Sequence, residues 1–243
     1  MANKVRQRRR FWFRCFRQLF KLRYKRPKYI YLGEKPTTNS IVLSNHVGAT
    51  VPILFETYAE FPMRMWGTYE MNSGFRNLYR YLTRTYYHQK RGWNLHLARL
   101  FCLIAAPLTS IFYRGIRLIS TYPDARLKRT LNESTEVLKG GENTVIFPEM
   151  SDEGYLDELK GFYPGFALLA SFLYKNGNDV KIYTSYYRKK DKVHIFSKPI
   201  LFSKLKEKFS NLEDMAKHFL DKTNTLGKLD LSKIPYKKQK AAE

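Results

Sequence analysis

His46 is the side chain best placed for chemistry. It sits in IVLSNHVGATV, residues 41–51. The apolar run Ile41–Leu43 reads as a strand, Asn45-His46 closes it, and Gly48 loosens the backbone before an apolar helical pattern with Pro52 in its first turn. An imidazole with a near-neutral pKa suits removal of a proton from a hydroxyl. The other histidines, His88, His96, His194 and His218, lie in aromatic or helical surroundings without an evident partner and read as structural or solvated. A second group falls in VIFPEMSDEGYLDELKGFYPG, residues 145–165, where Glu149 follows the apolar strand Thr144–Phe147 almost at once, with Ser151 and Lys160 behind it. Open α/β sheets place their sites at strand carboxyl ends, although a salt bridge is the other reading of Glu149. The third is Arg114, which follows the apolar run Ile111–Tyr113. At the end of a strand over Ser110–Tyr113 its planar fork would clamp a phosphate or carboxylate, or pair with Glu149.

The elements that must hold these residues alternate strand and helix. Strands are expected at Tyr29–Gly33, Ile41–Leu43, Ser110–Tyr113, Thr144–Phe147, Val180–Tyr187 and Val193–Phe196, the last two joined by the basic turn Lys189–Lys192. Helices are expected at Ala49–Tyr58, Phe75–Thr83, Leu95–Ala106, Asp124–Lys139 with Asp124 as its cap, and Pro164–Tyr174. Another is expected at Ser210–Asn224, opened by a Ser210/Glu213 capping box. The alternation predicts an α/β domain with a central, mostly parallel sheet and helices packed around it. It divides the chain into a basic arm, 1–28, a single domain, 29–232, and a charged tail, 233–243.

A formal net charge of +23 implies an anionic partner. Residues 1–28 carry twelve Lys/Arg and no acid. Within them, Trp12, Phe16, Leu19 and Arg23 fall on one side of a helix, with Phe13 and Phe20 flanking it. Such a helix suits the surface of an anionic bilayer. A basic arm docked by its aromatics on the protein's own core, and an arm for nucleic acid, are the other two readings. No recognisable RNA module accompanies it. The N-terminus lacks the pattern of a signal peptide, and Cys15 and Cys102 make no disulfide framework, so a reducing cytoplasmic setting is expected. Leu100–Tyr113 is short of the roughly 20 uninterrupted apolar residues of a spanning helix and carries Pro107. It reads as a buried helix followed by a strand, or as a segment dipping into a membrane interface.

In their order along the chain these signals resemble the motifs of the glycerophospholipid acyltransferases, the group that includes 1-acylglycerol-3-phosphate acyltransferases. Asn45 and His46 match the family's Asn-His-x4-Asp, with Val51 at the aspartate position. Ile111–Arg114 matches the arginine after an apolar strand. Phe147, Pro148, Glu149 and Ser151 match the third motif, with Met150 and Asp152 where the family keeps glycine and arginine; Gly154, Lys160 and Gly165 follow at looser spacing. Ile182–Tyr186 stands in for the fourth motif without its proline, and Ser197–Ile200 resembles the next strand end. The resemblance covers roughly residues 28–205.

It implies a peripheral enzyme on the cytoplasmic face of a membrane. The enzyme would move an acyl group from acyl-CoA or acyl-carrier protein to a lysolipid or related acceptor, with no permanently bound cofactor. It also implies His46, with Asn45 and Glu149, at the reacting centre, and Arg114, Ser151 and Lys160 on the acceptor side. In the family an aspartate aims the imidazole, as in a serine protease triad. Val51 cannot do so. Glu70, Glu149 or a backbone carbonyl is left for that task. Asp152 argues against assuming lysophosphatidate as the acceptor and toward an amine, a sugar or a neutral lipid hydroxyl, while Lys160 and Arg114 could still hold a phosphate. A catalytically silent lipid- or membrane-binding relative and a basic nucleic-acid-binding protein are the alternatives.

Overall fold

The computed structural model describes residues 11–151 and 154–234. It is an α/β fold with one mixed, mostly parallel, eight-stranded sheet flanked by helices. The strands are β1 (Lys28–Tyr31), β2 (Ser40–Ser44), β3 (Met63–Thr68), β4 (Ile119–Thr121), β5 (Asn143–Ile146), β6 (Lys181–Arg188), β7 (Val193–Phe196) and β8 (Ile200–Leu201). Their order is β1-β7-β6-β2-β5-β3-β4, with β8 beside β6. Only the β6–β7 and β6–β8 pairs are antiparallel. The expected basic turn makes the first of them, with Lys192 in a left-handed conformation at its end.

The helices are α1 (Phe11–Arg23), α2 (Thr50–Tyr58), α3 (Phe75–Arg80), α4 (Leu95–Ile116), α5 (Leu127–Lys139), α6 (Gly165–Lys175), α7 (Phe202–Lys208) and α8 (Leu212–Gly227). A π-helical run, Tyr81–Lys90, prolongs α3.

Strands β2 and β5 are buried along their whole length because helices cover both faces. Alternate side chains therefore feed two cores. Ile41, Leu43 and Ile146 pack with α5, α6, α7 and α8 through residues such as Leu131, Phe166, Phe202 and Phe219. Val42 and Val145 pack on the other side with Phe13 of α1 and Val51, Leu54 and Phe55 of α2.

Three expectations about the edges need correction. First, Ser110–Tyr113 is not a strand. Residues 95–116 form one continuous helix of 22 residues, and Pro107 sits on its exposed side without ending it. Ala98, Cys102 and Ala106, at helical spacing, are its buried line against Leu78 and Leu82. The strand that follows is β4, reached after Arg117 ends the helix with φ 61. Second, α4 is not a buried helix. Among the described residues it is long and apolar enough, by length and composition, to cross a membrane, and only 17% of its apolar window is buried.

Third, the inward face of α1 is rotated from the expected one. Phe13 is its buried centre, with Phe16, Arg17, Phe20 and Tyr24 partly covered, while Leu19 and Arg23 face out. The aromatic side of α1 thus docks on the domain. Phe13 lies on Gly115 of α4, where a Cβ would meet its ring at 1.9 Å, Phe20 meets Phe112, and Arg17 donates to the Thr57 carbonyl at 2.9 Å. Residues 1–10 of the proposed arm and 235–243 of the tail lie outside the described residues.

Smaller differences concern caps. Helix α5 begins at Leu127, and Asp124 instead accepts from the Arg126 backbone and side chain. Asn211, not Ser210, caps α8 by accepting from the Asp214 N–H.

Candidate active site

The carboxyl ends of the adjacent parallel strands β2 and β5 bring the first two sequence signals together. Asn45 follows β2 and is buried. Its amide completes the ladder to β6, where Nδ2 donates to the Tyr187 carbonyl at 3.1 Å and Oδ1 accepts from the Tyr187 N–H at 2.7 Å. Asn45 therefore fixes the exit of β2 and positions His46. Gly48, at φ 55, then turns the chain, and a Cβ there would lie 3.6 Å from the Arg91 guanidinium and 3.8 Å from the Tyr155 ring.

Glu149 follows β5 after Phe147-Pro148. Its Oε2 accepts from the backbone N–H of His46 at 3.0 Å, and the Leu156 N–H also serves it. The carboxylate joins the two loops at the mouth of the sheet. An isolated antiparallel bridge from Glu149 to Phe162 lays residues 149–151 beside 160–162, and the Met150 N–H donates to the Gly161 carbonyl at 2.9 Å. Further out, the side chain of Asn224 on α8 clasps both backbone groups of Leu159. The Tyr186 hydroxyl donates to the Asp157 carbonyl at 2.6 Å. This loop is thereby tied to the core.

The imidazole of His46 is held by packing. Tyr155 stacks on it at 4.9 Å and 12°, and Phe147 meets it edge-on at 4.8 Å. Its Nδ1 is buried, and no described side chain pairs with it. Burial, with the nearby Lys90 ammonium second, lowers the His46 pKa to about 4, so the ring is neutral at pH 7. Burial raises the Glu149 pKa to about 7, against the pull of the His46 and Leu156 N–H groups and Lys90. Two acids weighed as orienters of the ring do not take that task. Glu149 meets the His46 backbone, and Glu70 accepts from Thr68. Val51 is fully buried in the apolar core beneath the site.

Of the other expected site residues, Ser151 comes beside Lys90. Its Oγ accepts from Lys90 Nζ at 2.7 Å. Lys160 lies on the strip beside it, with an exposed side chain. Arg114 does not end a strand. It is exposed in the last turn of α4, and among the described residues it makes no ion pair, with Glu149 or any other acid. The continuous helix explains the error, because Leu95–Ile116 keeps a helical line of small buried residues through the proline. Asp152 lies outside the described residues.

Sequence reasoning missed Lys90, Arg91, Tyr86 and Tyr155. Tyr86 and Lys90 come from the π-helical run and Arg91 from the turn just after it, in the stretch between β3 and β4. Lys90 stands 6.0 Å from the Tyr155 ring centre, and Arg91 lies over Tyr86. Only a local richness in Tyr and Arg marked this stretch. Among the described residues no group of His, Cys, Asp and Glu could hold a metal ion.

The site can thus offer a neutral imidazole, a carboxyl that titrates near neutrality and a pair of cations, in a half-buried mouth lined by aromatic rings. Compared with known proteins, the chain matches no family model and no curated protein.

Proposed function

We propose that the chain is a membrane-surface acyltransferase of the glycerophospholipid type, with an acyltransferase-like arrangement of its sheet and His46 as general base. The observation that carries this reading is the neutral, half-buried imidazole of His46 at the end of β2, in a residue whose backbone N–H donates to Glu149 at the end of β5. The motif order set out above supplies the reaction. The acceptor hydroxyl would attack the thioester carbonyl of acyl-CoA or acyl-carrier protein while His46 takes its proton. The carbon–sulfur bond then breaks, and the leaving thiolate takes that proton back from the imidazolium. With Nδ1 buried, Nε2 is the ring nitrogen left to meet the hydroxyl. Ser151, Lys160 and the Lys90 ammonium supply polar contacts for the acceptor. The basic surface, α1 included, sets the enzyme on anionic lipid.

One observation favours a second reading, a lipid-binding relative without turnover. Proton transfer through Nε2 needs the proton held on Nδ1, and there no carboxylate or other described side chain accepts it. Tyr155 also covers one face of the ring. The deciding assay is acyl transfer from acyl-CoA and acyl-carrier protein to a panel of lysolipids, in the wild type and in His46→Ala. Transfer that depends on His46 supports the enzyme. Equal rates in the two proteins remove His46 from the mechanism, and saturable lysolipid binding without transfer selects the silent relative.

A further inference from the structure

The stretch between β3 and β4 leaves the sheet as α3 and its π-helical extension and returns as α4. Its helices bury a seam against each other along Leu78, Leu82, Cys102 and Ala106. The opposite side of α4 is a stripe of large apolar side chains in the open: Leu97, Leu100, Leu103, Ile104, Leu108 and Ile111, with Ile104 74% exposed. At helical spacing the stripe continues to Gly115, and there Phe13 of α1 covers it. Exposed apolar surface of this extent marks an interaction site.

The charge around the stripe identifies the partner. Residues 71–123 contain no acidic residue and eight Lys/Arg: 76, 80, 84, 90, 91, 99, 114 and 117. Helix α1, docked at the end of the stripe, turns Arg14, Lys21 and Arg23 outward beside Leu19 and Leu22, the latter 85% exposed. Two copies meeting across this stripe would oppose cation to cation, which disfavours a homodimer. An anionic lipid surface satisfies both the apolar stripe and its basic border. At the other end of the stripe, Tyr86, Tyr87, Trp93 and Phe101 line a cavity of about 280 Å3 with Arg91 at its wall. Amphipathic rings beside a cation are the side chains that settle at headgroup depth.

The helix is placed to lie in the bilayer plane. The excursion that ends in α4 leaves the sheet from β3 and returns to its neighbour β4, and the inner side of α4 rests on α3 and the π-helical run, which carry Arg76, Arg80 and Arg84.

We propose that the outward stripe of α4 inserts into the headgroup–acyl boundary of anionic phospholipid bilayers, with α1 as its basic flank and the Tyr86–Trp93 cavity at headgroup level. This shares the membrane setting of the proposed function but none of its chemistry. The test is partitioning of the full chain onto vesicles of phosphatidylcholine with and without phosphatidylglycerol. The variants are Leu100→Gln/Ile104→Gln/Leu108→Gln, which touches exposed positions only, and Arg14→Gln/Lys21→Gln/Arg23→Gln. Removing residues 1–28 is a poor test, because Phe13 belongs to the core.

The wild type is expected to bind the anionic vesicles, with tryptophan quenching by brominated acyl chains that Trp93→Phe reduces. The apolar triple variant should bind roughly 100-fold more weakly, and the α1 variant should be weakened mainly at low salt. His46→Ala should bind as the wild type does, whether or not transfer is ever detected. The proposal is overturned if the apolar triple variant partitions like the wild type. It is equally overturned if the wild type is a dimer that this variant dissociates, or if the chain binds RNA with steep salt dependence and leaves the vesicles alone.

Discussion

His194 and His46 stand at the two ends of one aromatic row. His194 meets Phe55 at 4.8 Å, Phe55 meets Phe147 at 6.1 Å, and Phe147 meets His46 at 4.8 Å. Both rings have a buried Nδ1 that no described side chain pairs with, and burial holds both neutral, with the pKa of His194 lowered to about 3 and that of His46 to about 4. His194 lies within β7, fully buried, with Nε2 beside the hydroxyls of Ser185 at 3.2 Å and Ser44 at 3.4 Å. His46 lies one residue past the buried Asn45, where β2 has ended and the chain turns at Gly48. Neutrality therefore comes from burial and is common to both. Access comes from the end of a strand, and only His46 has it.

The largest expected effect separates the two by activity. If His46 is the base, His46→Ala lowers acyl transfer by about 10²–10⁴-fold while the melting temperature stays close to that of the wild type. A variant that loses transfer only because it unfolds would break the contrast. His194→Ala is expected to act on stability instead, by about 3 kcal/mol, since it empties a large buried site. Transfer per folded molecule should be unchanged, and chemical denaturation alongside initial rates checks both halves.

Asn45→Ala should fall between the two. It removes both contacts with the Tyr187 backbone in a buried place, costing about 1–3 kcal/mol, and it also lowers transfer because the exit of β2 is no longer fixed. A purely structural loss, with an unaltered rate for the folded fraction, would show that His46 needs no such support.

The smallest effect is in acid. A histidine whose folded pKa lies below 6.5 stays neutral in the fold while the unfolded chain takes up a proton. Its contribution to stability is full above pH 6.5 and is lost as the pH falls toward about 4 for His46 and about 3 for His194. Glu149, raised from 4.5 to about 7, acts in the opposite sense: its contribution is full below pH 4.5 and fades as the pH rises through 7. His194→Phe should therefore move the acid-unfolding midpoint to lower pH. A midpoint that does not move, or rises, would show that His194 is charged in the fold.

The fold and the site were legible in the sequence to different degrees. The strands β2 and β5 could be read because an apolar run buried on both faces ends abruptly in polar residues, and Asn45-His46 and Pro148-Glu149 mark those ends. Met63–Thr68 gave no such signal, since MRMWGT mixes a charge and a glycine into an edge region of the sheet. The failure at Ser110–Tyr113 has a different cause. Four apolar residues before an arginine look alike in a strand and in the last turns of a helix, and Pro107 suggested a break that the exposed side of α4 does not need. Lys90 and Tyr155 reach the site from segments that carry no local mark of chemistry.

By itself the sequence determined that strands and helices alternate, that His46 and Glu149 follow buried strands and that the chain is strongly basic. These are properties of neighbours along the chain: period, composition and the residue after a run. Tertiary structure alone decided that Glu149 meets the His46 backbone and not its ring, that Lys90 stands at the mouth, that α1 docks through Phe13, and that one side of α4 is left open. Each depends on distances between residues far apart in sequence, set by the order β6-β2-β5-β3 in the sheet and by which helix faces the two cores could cover.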